Sequence, residues 1–307
     1  MKILVTGHHG YIGSVLTPML QETGHSVTGL DSYLYEGCDF GDPVPDVPSF
    51  RVDIRDVDIS MLSGFDAVVH LAGLCNDPLG DLNPRLTTDI NHLASVRLAR
   101  MSKMAGVSRF VFSSSCSIYG ASGDEMVTEE TPTEPLTPYG HSKIWVEEDV
   151  SGMADDDFTP TFLRNATVYG LSPRLRSDLV VNNLVGYAFT TGEIHIKSDG
   201  TPWRPLAHVA DIAQAFRLIL EAPRGVVHNQ IFNVGSAETN YQMWEVADIV
   251  ADVVQNSRIT YAADAGPDRR CYKADFSKIA KALPDFQPRW TVRTGVEALY
   301  EAFQRYQ

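Results

Sequence analysis

Thr6-Gly7-His8-His9-Gly10-Tyr11-Ile12-Gly13 is the stretch on which the reading of this chain turns. It follows Lys2-Ile3-Leu4-Val5, a short apolar run that reads as a buried strand. It leads into Tyr11 to Thr23, which reads as a helix. A glycine-rich turn between a strand and a helix start is a phosphate-binding device. Residues without a Cβ let the backbone approach a pyrophosphate, and the helix start offers unpaired N–H groups and a partial positive charge. The spacing is GxxGxxG rather than the commoner GxGxxG, and its strand–turn–helix context sets it apart from glycines that merely punctuate a loop.

Outward from this turn, strands and helices alternate. Ser26 to Leu30, ending at Asp31, reads as a second strand, Phe50 to Ile54 as a third, Phe65 to Leu71 as a fourth, Arg109 to Ser113 as a fifth and Thr159 to Arg164 as a sixth. Leu86 to Ala105 and Tyr139 to Met153 read as helices, and Ser32 to Ser49 and Asp124 to Pro138 as loops. Such alternation implies crossovers and a parallel sheet, and near-continuous apolar strands imply a sheet covered on both faces. The expected class is α/β: a Rossmann-type doubly wound parallel sheet with a smaller mixed α/β C-terminal substrate domain. The first unit is expected over 1–165, with 205–237 returning to it, because His208 to Leu220 reads as a helix and Gln230 to Val234 as a strand. Residues 166–204 and 238–307 are left for the smaller unit.

The 307 residues, 44% of them hydrophobic, suffice for one large domain or a domain and a half. With 25 Lys+Arg against 39 Asp+Glu the net charge is −14, which disfavours nucleic acid and anionic membranes as partners. Cys38, Cys75, Cys116 and Cys271 show neither CxxC pairing nor metal-ligand spacing, as in a cytoplasmic protein with free thiols and no metal. No signal peptide is read, and no apolar run approaches the ~18 residues that span a bilayer.

In an open parallel sheet ligands bind at the carboxyl ends of the strands. The glycine turn, Asp31, Leu71-Ala72-Gly73 and Ser113-Ser114-Ser115 all fall at such ends. A carboxylate at Asp31 would accept hydrogen bonds from an adenosine ribose and repel a 2′-phosphate. With no Arg or Lys directly after it, NAD is favoured over NADP. Asp53-Ile54, after the third strand, could flank the adenine or could simply make a turn. Tyr139 and Lys143 stand four apart on one helix face behind Pro138, which suits a helix start. A tyrosine, with its reference pKa of ~10, becomes a base near neutral pH only beside a cation. A hydroxyl from the serine run could donate to a developing alkoxide.

TGHHGYIG, Asp31, HLAG at 70–73, FVFSSSCSIYG at 110–120, PYGHSK at 138–143 and LRNATVYG at 163–170 occur in one order. Together they resemble the extended short-chain dehydrogenase/reductase family, and more narrowly its NAD-dependent sugar-nucleotide epimerases and dehydratases. The resemblance implies Tyr139 as catalytic acid/base, Lys143 as its pKa partner and ribose ligand, and Ser115 as the hydroxyl that holds the reacting oxygen. It implies a cofactor site lined by Gly7, Gly10, Tyr11, Ile12, Gly13, Asp31, Asp53, Ile54, Leu71, Ala72 and Gly73 beside Tyr139 and Lys143. For a nucleotide-diphosphate sugar it implies Ser115, Ser117, Thr167, Arg204 within Pro202 to Val209, and Arg269. It also implies a homodimer through the helices near Leu86–Ala105 and Tyr139–Met153.

Three departures narrow the chemistry. Sugar dehydratases resembling this chain place an Asp-Glu pair after the catalytic serine, where Cys116-Ser117 stand here, so dehydration is disfavoured. Thr167 stands where many relatives carry Asn, and this leaves the sugar open. The acidic stretch around Asp39 to Pro43, within 36–46, has no role that its composition reveals. The expected function is an NAD-dependent nucleotide-sugar epimerase working at C4 through a 4-keto intermediate. The alternatives are an NAD(P)H-dependent 4-ketoreductase and, from another class, a non-catalytic dinucleotide sensor.

Overall fold

The computed structural model describes residues 1–44, 46–75, 77–263, 265–266 and 271–306. Its strands are β1 (Lys2–Thr6), β2 (Ser26–Asp31), β3 (Ser49–Arg51), β4 (Ala67–His70), β5 (Arg109–Ser115), β6 (Ala121–Val127), β7 (Thr159–Asn165), β8 (Thr167–Tyr169), β9 (Glu193–Ile196), β10 (Trp203–His208), β11 (Gln230–Val234), β12 (Asn240–Gln242), β13 (Arg258–Tyr261) and β14 (Cys271–Ala274). Its helices are α1 (Gly13–Glu22), α2 (Asp77–Leu82), α3 (Pro84–Thr87), α4 (Ser95–Met104), α5 (Pro138–Ser151), α6 (Val180–Thr191), α7 (Val209–Glu221), α8 (Arg224–Val227), α9 (Met243–Val253), α10 (Ser277–Ala282) and α11 (Val292–Arg305).

Seven strands form the large sheet in the order β11-β7-β5-β4-β1-β2-β3, every pair parallel. Winding reverses between β1 and β4, so the crevice between their carboxyl ends is where a ligand is received. Side chains of β1 alternate between two cores, as the pleat requires. Ile3 and Val5 join Leu16 and Leu20 of α1 and Ile212 and Phe216 of α7 on one face. Leu4 joins Leu98 of α4 and Val146 and Val150 of α5 on the other. The doubly wound parallel sheet expected from the alternation is thus present, and β11, after α7, is its last strand.

A third core gathers Tyr169, Val185 of α6, Ile194 of β9, Leu206 of β10, Val246 of α9 and Val296 of α11. Around it lie a three-stranded sheet, β12-β10-β8, and the β13-β9 pair. Tyr272, Phe276 and Ile279 pack instead into the first core, against the large sheet.

Local structure departs from the sequence expectation at three places. The third strand stops at Arg51, because the Asp53 carboxylate caps a 3-10 turn over Ile54–Asp56 by accepting the Arg55 amide at 2.9 Å. The stretch read as a loop from Asp124 begins inside β6, which pairs in parallel with β14. The helix expected from Leu86 to Ala105 is interrupted by a π-helical segment, Thr88–Ala94, between α3 and α4.

Candidate active site

At the glycine turn the backbone is packed too closely for side chains. Gly7 has φ +73°, and a Cβ there would stand 2.8 Å from the amide nitrogen of Ala72. A Cβ on Gly13 would stand 2.2 Å from the Gly7 carbonyl oxygen and 2.6 Å from His8 Cα. Gly10 donates its amide to Gly7 O at 3.0 Å, and α1 begins after Ile12 with no side-chain cap. Tyr11 is buried, and its hydroxyl donates to Gly170 O at 2.7 Å, so its ring ties the turn to the residues after β8.

The floor beneath the turn is rigid. Thr6 Oγ1 meets His70 Nδ1 at 2.6 Å, and His70 Nε2 meets Ser95 Oγ at 2.7 Å. Burial pushes the His70 imidazole down to about 3, so it is neutral and links β1, β4 and α4. Leu71, Ala72 and Gly73 follow β4, and the Ala72 amide donates to Thr6 Oγ1 at 3.4 Å. Asn91, from the π-helical segment, then holds Leu74 by both backbone groups, at 2.7 and 2.8 Å. Asp31, at the end of β2, accepts the His9 amide at 3.1 Å on one oxygen and the Tyr33 amide at 2.8 Å on the other.

The hydroxyl, phenol and ammonium expected of the catalytic group come from β5 and α5. Thr137 caps α5 by accepting the Gly140 amide at 3.1 Å, and Pro138 occupies the first turn. Lys143, 5% exposed, donates to the carbonyl of Ser113 at 2.8 Å, and its Nζ lies 5.5 Å from the centre of the Tyr139 ring. Burial pulls the Lys143 ammonium down to about 8, while Cys75 and Glu147 pull the other way. Ser115 ends β5, and its Oγ donates to Ser117 Oγ at 2.9 Å and accepts the Ser117 amide at 3.2 Å. Cys116 is buried and donates to Arg164 O at 3.0 Å. Burial pushes its thiol well up, away from any acid–base role near neutral pH.

The expected substrate residues lie in different places. Thr167 opens β8, and Arg204 lies on the neighbouring β10, two residues from the Leu206 that pairs with Thr167. Arg204 Nη1 donates to Trp203 O at 2.9 Å, and its guanidinium stands 6.0 Å from the Tyr272 ring. Arg269 lies outside the described residues. The Asp53 carboxylate, besides its capping bond, is engaged by Arg55 at 2.8 Å.

Two arginines after β8 were not singled out from the sequence. Arg174, 4% exposed, donates to His9 O at 3.1 Å, meets His9 Nδ1 at 2.6 Å, pairs with Asp39 at 3.0 Å and donates to Tyr35 O. Arg176 forks onto Asp178 at 3.0 and 2.6 Å. Burial works against its charge, but Cys75, Asp178 and Tyr139 together hold the guanidinium above its ordinary range. The only sequence signal for either was a pair of cations four and six residues after Gly170. The acidic stretch also gains a place here. Phe40 donates its amide to Pro173 O at 2.8 Å and packs edge-on against Phe303 and Tyr306 of the C-terminal segment, with centroids 5.2 and 5.8 Å away. Residues 32–40 therefore form a strap from Asp31 past His9 to α11.

A family model described as the NAD dependent epimerase/dehydratase family matches residues 3–235. The chain belongs to this NAD dependent epimerase/dehydratase family. A UDP-glucose 4-epimerase of Corynebacterium glutamicum is 30% identical over 269 residues, covering 82% of this chain and 80% of its own. MoeE5, solved in complex with UDP-glucuronic acid and NAD, is similar with a TM-score of 0.86 at 28% identity over 99% of both chains. The UDP-glucose 4-epimerase of Thermotoga maritima, solved with UDP-glucose, is similar with a TM-score of 0.86 at 25% identity over 99% of both chains.

NAD is the cofactor of this epimerase/dehydratase, and the residues present fit it. The cradle at Gly7 and Gly13 would be filled by any Cβ, and the start of α1 carries no competing side-chain cap. Asn165 Oδ1, at the end of β7 beside Ser113, is buried without a hydrogen-bond partner among the described residues. Among the described residues, no group of three or more His, Cys, Asp or Glu could hold a metal ion. No helix among them is long and apolar enough to cross a membrane.

Proposed function

We propose that the enzyme is a nucleotide-sugar 4-epimerase that takes a UDP-sugar and works through a 4-keto intermediate. One observation supports this most directly. The Lys143 ammonium is held between the Ser113 carbonyl and the Tyr139 ring, at the strand ends beside the glycine turn. Tyr139 takes the proton of the C4 hydroxyl as the keto sugar forms and returns it to the epimeric alkoxide. Lys143 stabilises the phenolate that exists before the proton is taken and again after it is returned, and Ser115 turns from Ser117 to donate to the same oxygen. NAD, which the Gly7–Gly13 turn and Asp31 would hold, would supply the two-electron hydride acceptor and donor for C4. Thr167, Arg204 and the third core form the sugar and diphosphate side, with the guanidinium fork suited to a diphosphate. Cys116 and Ser117 supply no carboxyl pair for dehydration. Incubating the purified protein with a panel of UDP-sugars, with no added reductant, tests this. Interconversion of C4 epimers is expected, whereas a strict need for added NADH and a 4-keto sugar would reassign the enzyme as a ketoreductase.

The strap over residues 32–40 supports a cofactor that stays in place through each cycle. It is pinned at one end by Asp31 and at the other by Phe40 in its aromatic seat, with Arg174 between. Phe40→Ala removes the seat without touching the strand ends. Release of prebound NAD, followed by exchange against labelled cofactor, is expected to quicken about tenfold or more, the scale of losing ~1.4 kcal/mol of loop anchoring. Unchanged release would remove the strap from any part in retention.

A homodimer is proposed through the helices noted above. Leu93, Met104 and Trp145 are exposed on the π segment, α4 and α5, with His141 stacked on Trp145. Trp145→Glu would put a charge in the contact and is expected to shift the species seen in analytical ultracentrifugation from dimer to monomer.

A further inference from the structure

Glu147 lies one turn beyond Lys143 and two beyond Tyr139, on the same buried face of α5, and is 4% exposed. Its carboxylate is fully engaged. Oε1 accepts the Ser114 hydroxyl at 2.5 Å, and Arg164 of β7 forks onto both oxygens, through Nε at 3.1 and 3.2 Å and through Nη2 at 2.7 Å. Arg164 also donates from Nη1 to Tyr119 Oη at 2.9 Å, and Tyr119 donates to Asn233 of β11 at 2.7 Å. Ser114 stands between Ser113, whose carbonyl receives the Lys143 ammonium, and Ser115. One buried carboxylate thus ties α5 to the ends of β5 and β7. Through Arg164 and Tyr119 it reaches the turn that carries Ser117.

A buried ion pair is a poor device for stability, since the desolvation of both charges offsets their attraction. Its location offers a better reason for it. We infer that Glu147 is a positioning residue of the active site: through Ser114 and Arg164 it sets Lys143 against Ser115. This rests on the assignment of Tyr139 and Lys143 as the proton-handling pair.

The groups facing Lys143 are Tyr139 and Glu147 from α5, His70 from β4 and Cys75 from the segment after β4, with Arg164 of β7 behind Glu147. His70 is neutral through burial. On the outer face of α5, Asp149 is engaged by His92 at 2.7 Å. After Cys75, Glu147 is the group that opposes the loss of the Lys143 proton, and it is the electrostatic part of the inference.

Glu147→Gln keeps the shape and removes the charge. The expected result is a kcat about tenfold lower with unchanged KM for the UDP-sugar. The alkaline limb of the kcat profile should also move to lower pH by about one unit, the scale set by one charge within a helical turn. Glu147→Asp keeps the charge, so the limb is expected to stay where the parent has it. A role in folding alone would lower Tm and leave the limb in place in both variants, and that result overturns the electrostatic part. Glu147→Gln leaves Arg164 unpaired, so the double exchange Glu147→Leu with Arg164→Met, which buries no unpaired charge, is the safeguard against misfolding. It is expected to fold and still lose about tenfold in kcat, and full kcat in it overturns the positioning part. Tyr139→Phe separates the two levels. If it keeps turnover, the proton-handling assignment has failed. If it is inactive while Glu147→Gln shows the parental kcat and limb, only the inference about Glu147 has failed.

Discussion

Tyr139→Phe is expected to lower kcat by about 10²–10⁴-fold, the usual worth of a positioned acid–base group. KM for the sugar nucleotide and Tm should stay close to the parent. The reason lies in the proton inventory. A phenol with a pKa of ~10 needs about 4 kcal/mol of differential stabilisation to act three units lower. A cation 5.5 Å from the ring centre contributes about 3 kcal/mol at an effective dielectric of about 20. Lys143 thus supplies much of the required stabilisation, and the positive charge of an oxidised cofactor would add to it. Phenylalanine keeps the ring and its packing on α5, and the Lys143 bond to Ser113 needs no phenol. Steady-state rates, thermal melts and NAD content of the variant check this together. Turnover within threefold of the parent would remove Tyr139 from the chemistry.

Gly13→Ala is the second large effect, and it falls on the cofactor. The added methyl would meet Gly7 O at 2.2 Å, His8 Cα at 2.6 Å and His8 C at 2.7 Å, all of them backbone. No rotamer relieves this overlap, so either α1 retreats or the turn deforms. Overpacking of this kind costs about 1–3 kcal/mol of stability. The retreat also carries the α1 N-terminus away from the anion it would receive, so NAD affinity is expected to fall by about tenfold to a hundredfold. Calorimetric titration of the cofactor-free protein and thermal melts measure the two losses. Gly225→Ala, where a Cβ would meet nothing within 4 Å, is the matched control and should change neither.

The local signals of the fold were legible because they are short-range. Gly7, Gly10 and Gly13 sit within one turn, the apolar runs of β1, β4 and β5 are continuous, and Pro138 announces the start of α5. What escaped depends on residues far apart in the chain. β6 has exposed, polar residues at Asp124 and Glu125 and becomes a strand only because β14 pairs with it. The acidic loop makes sense only once Asp39 meets Arg174 and Phe40 meets Phe303. The π-helical segment answers to Asn91 reaching Leu74, which no periodicity reveals. In the site, Tyr139, Lys143 and Ser115 were visible as a pattern of residue types. Glu147 was invisible, because a glutamate followed by Glu148 and Asp149 reads as a solvated helix face until Ser114 and Arg164 are seen around it.

Deuterium at C4 of the sugar is the sharpest probe of whether the enzyme oxidises and re-reduces one carbon in place. A UDP-sugar so labelled, incubated with the purified enzyme and no added cofactor, is expected to yield the C4 epimer with deuterium retained at C4 and no net formation of NADH. Product carrying protium at C4, or product formed only one-for-one with added reduced cofactor, would contradict in-place epimerisation.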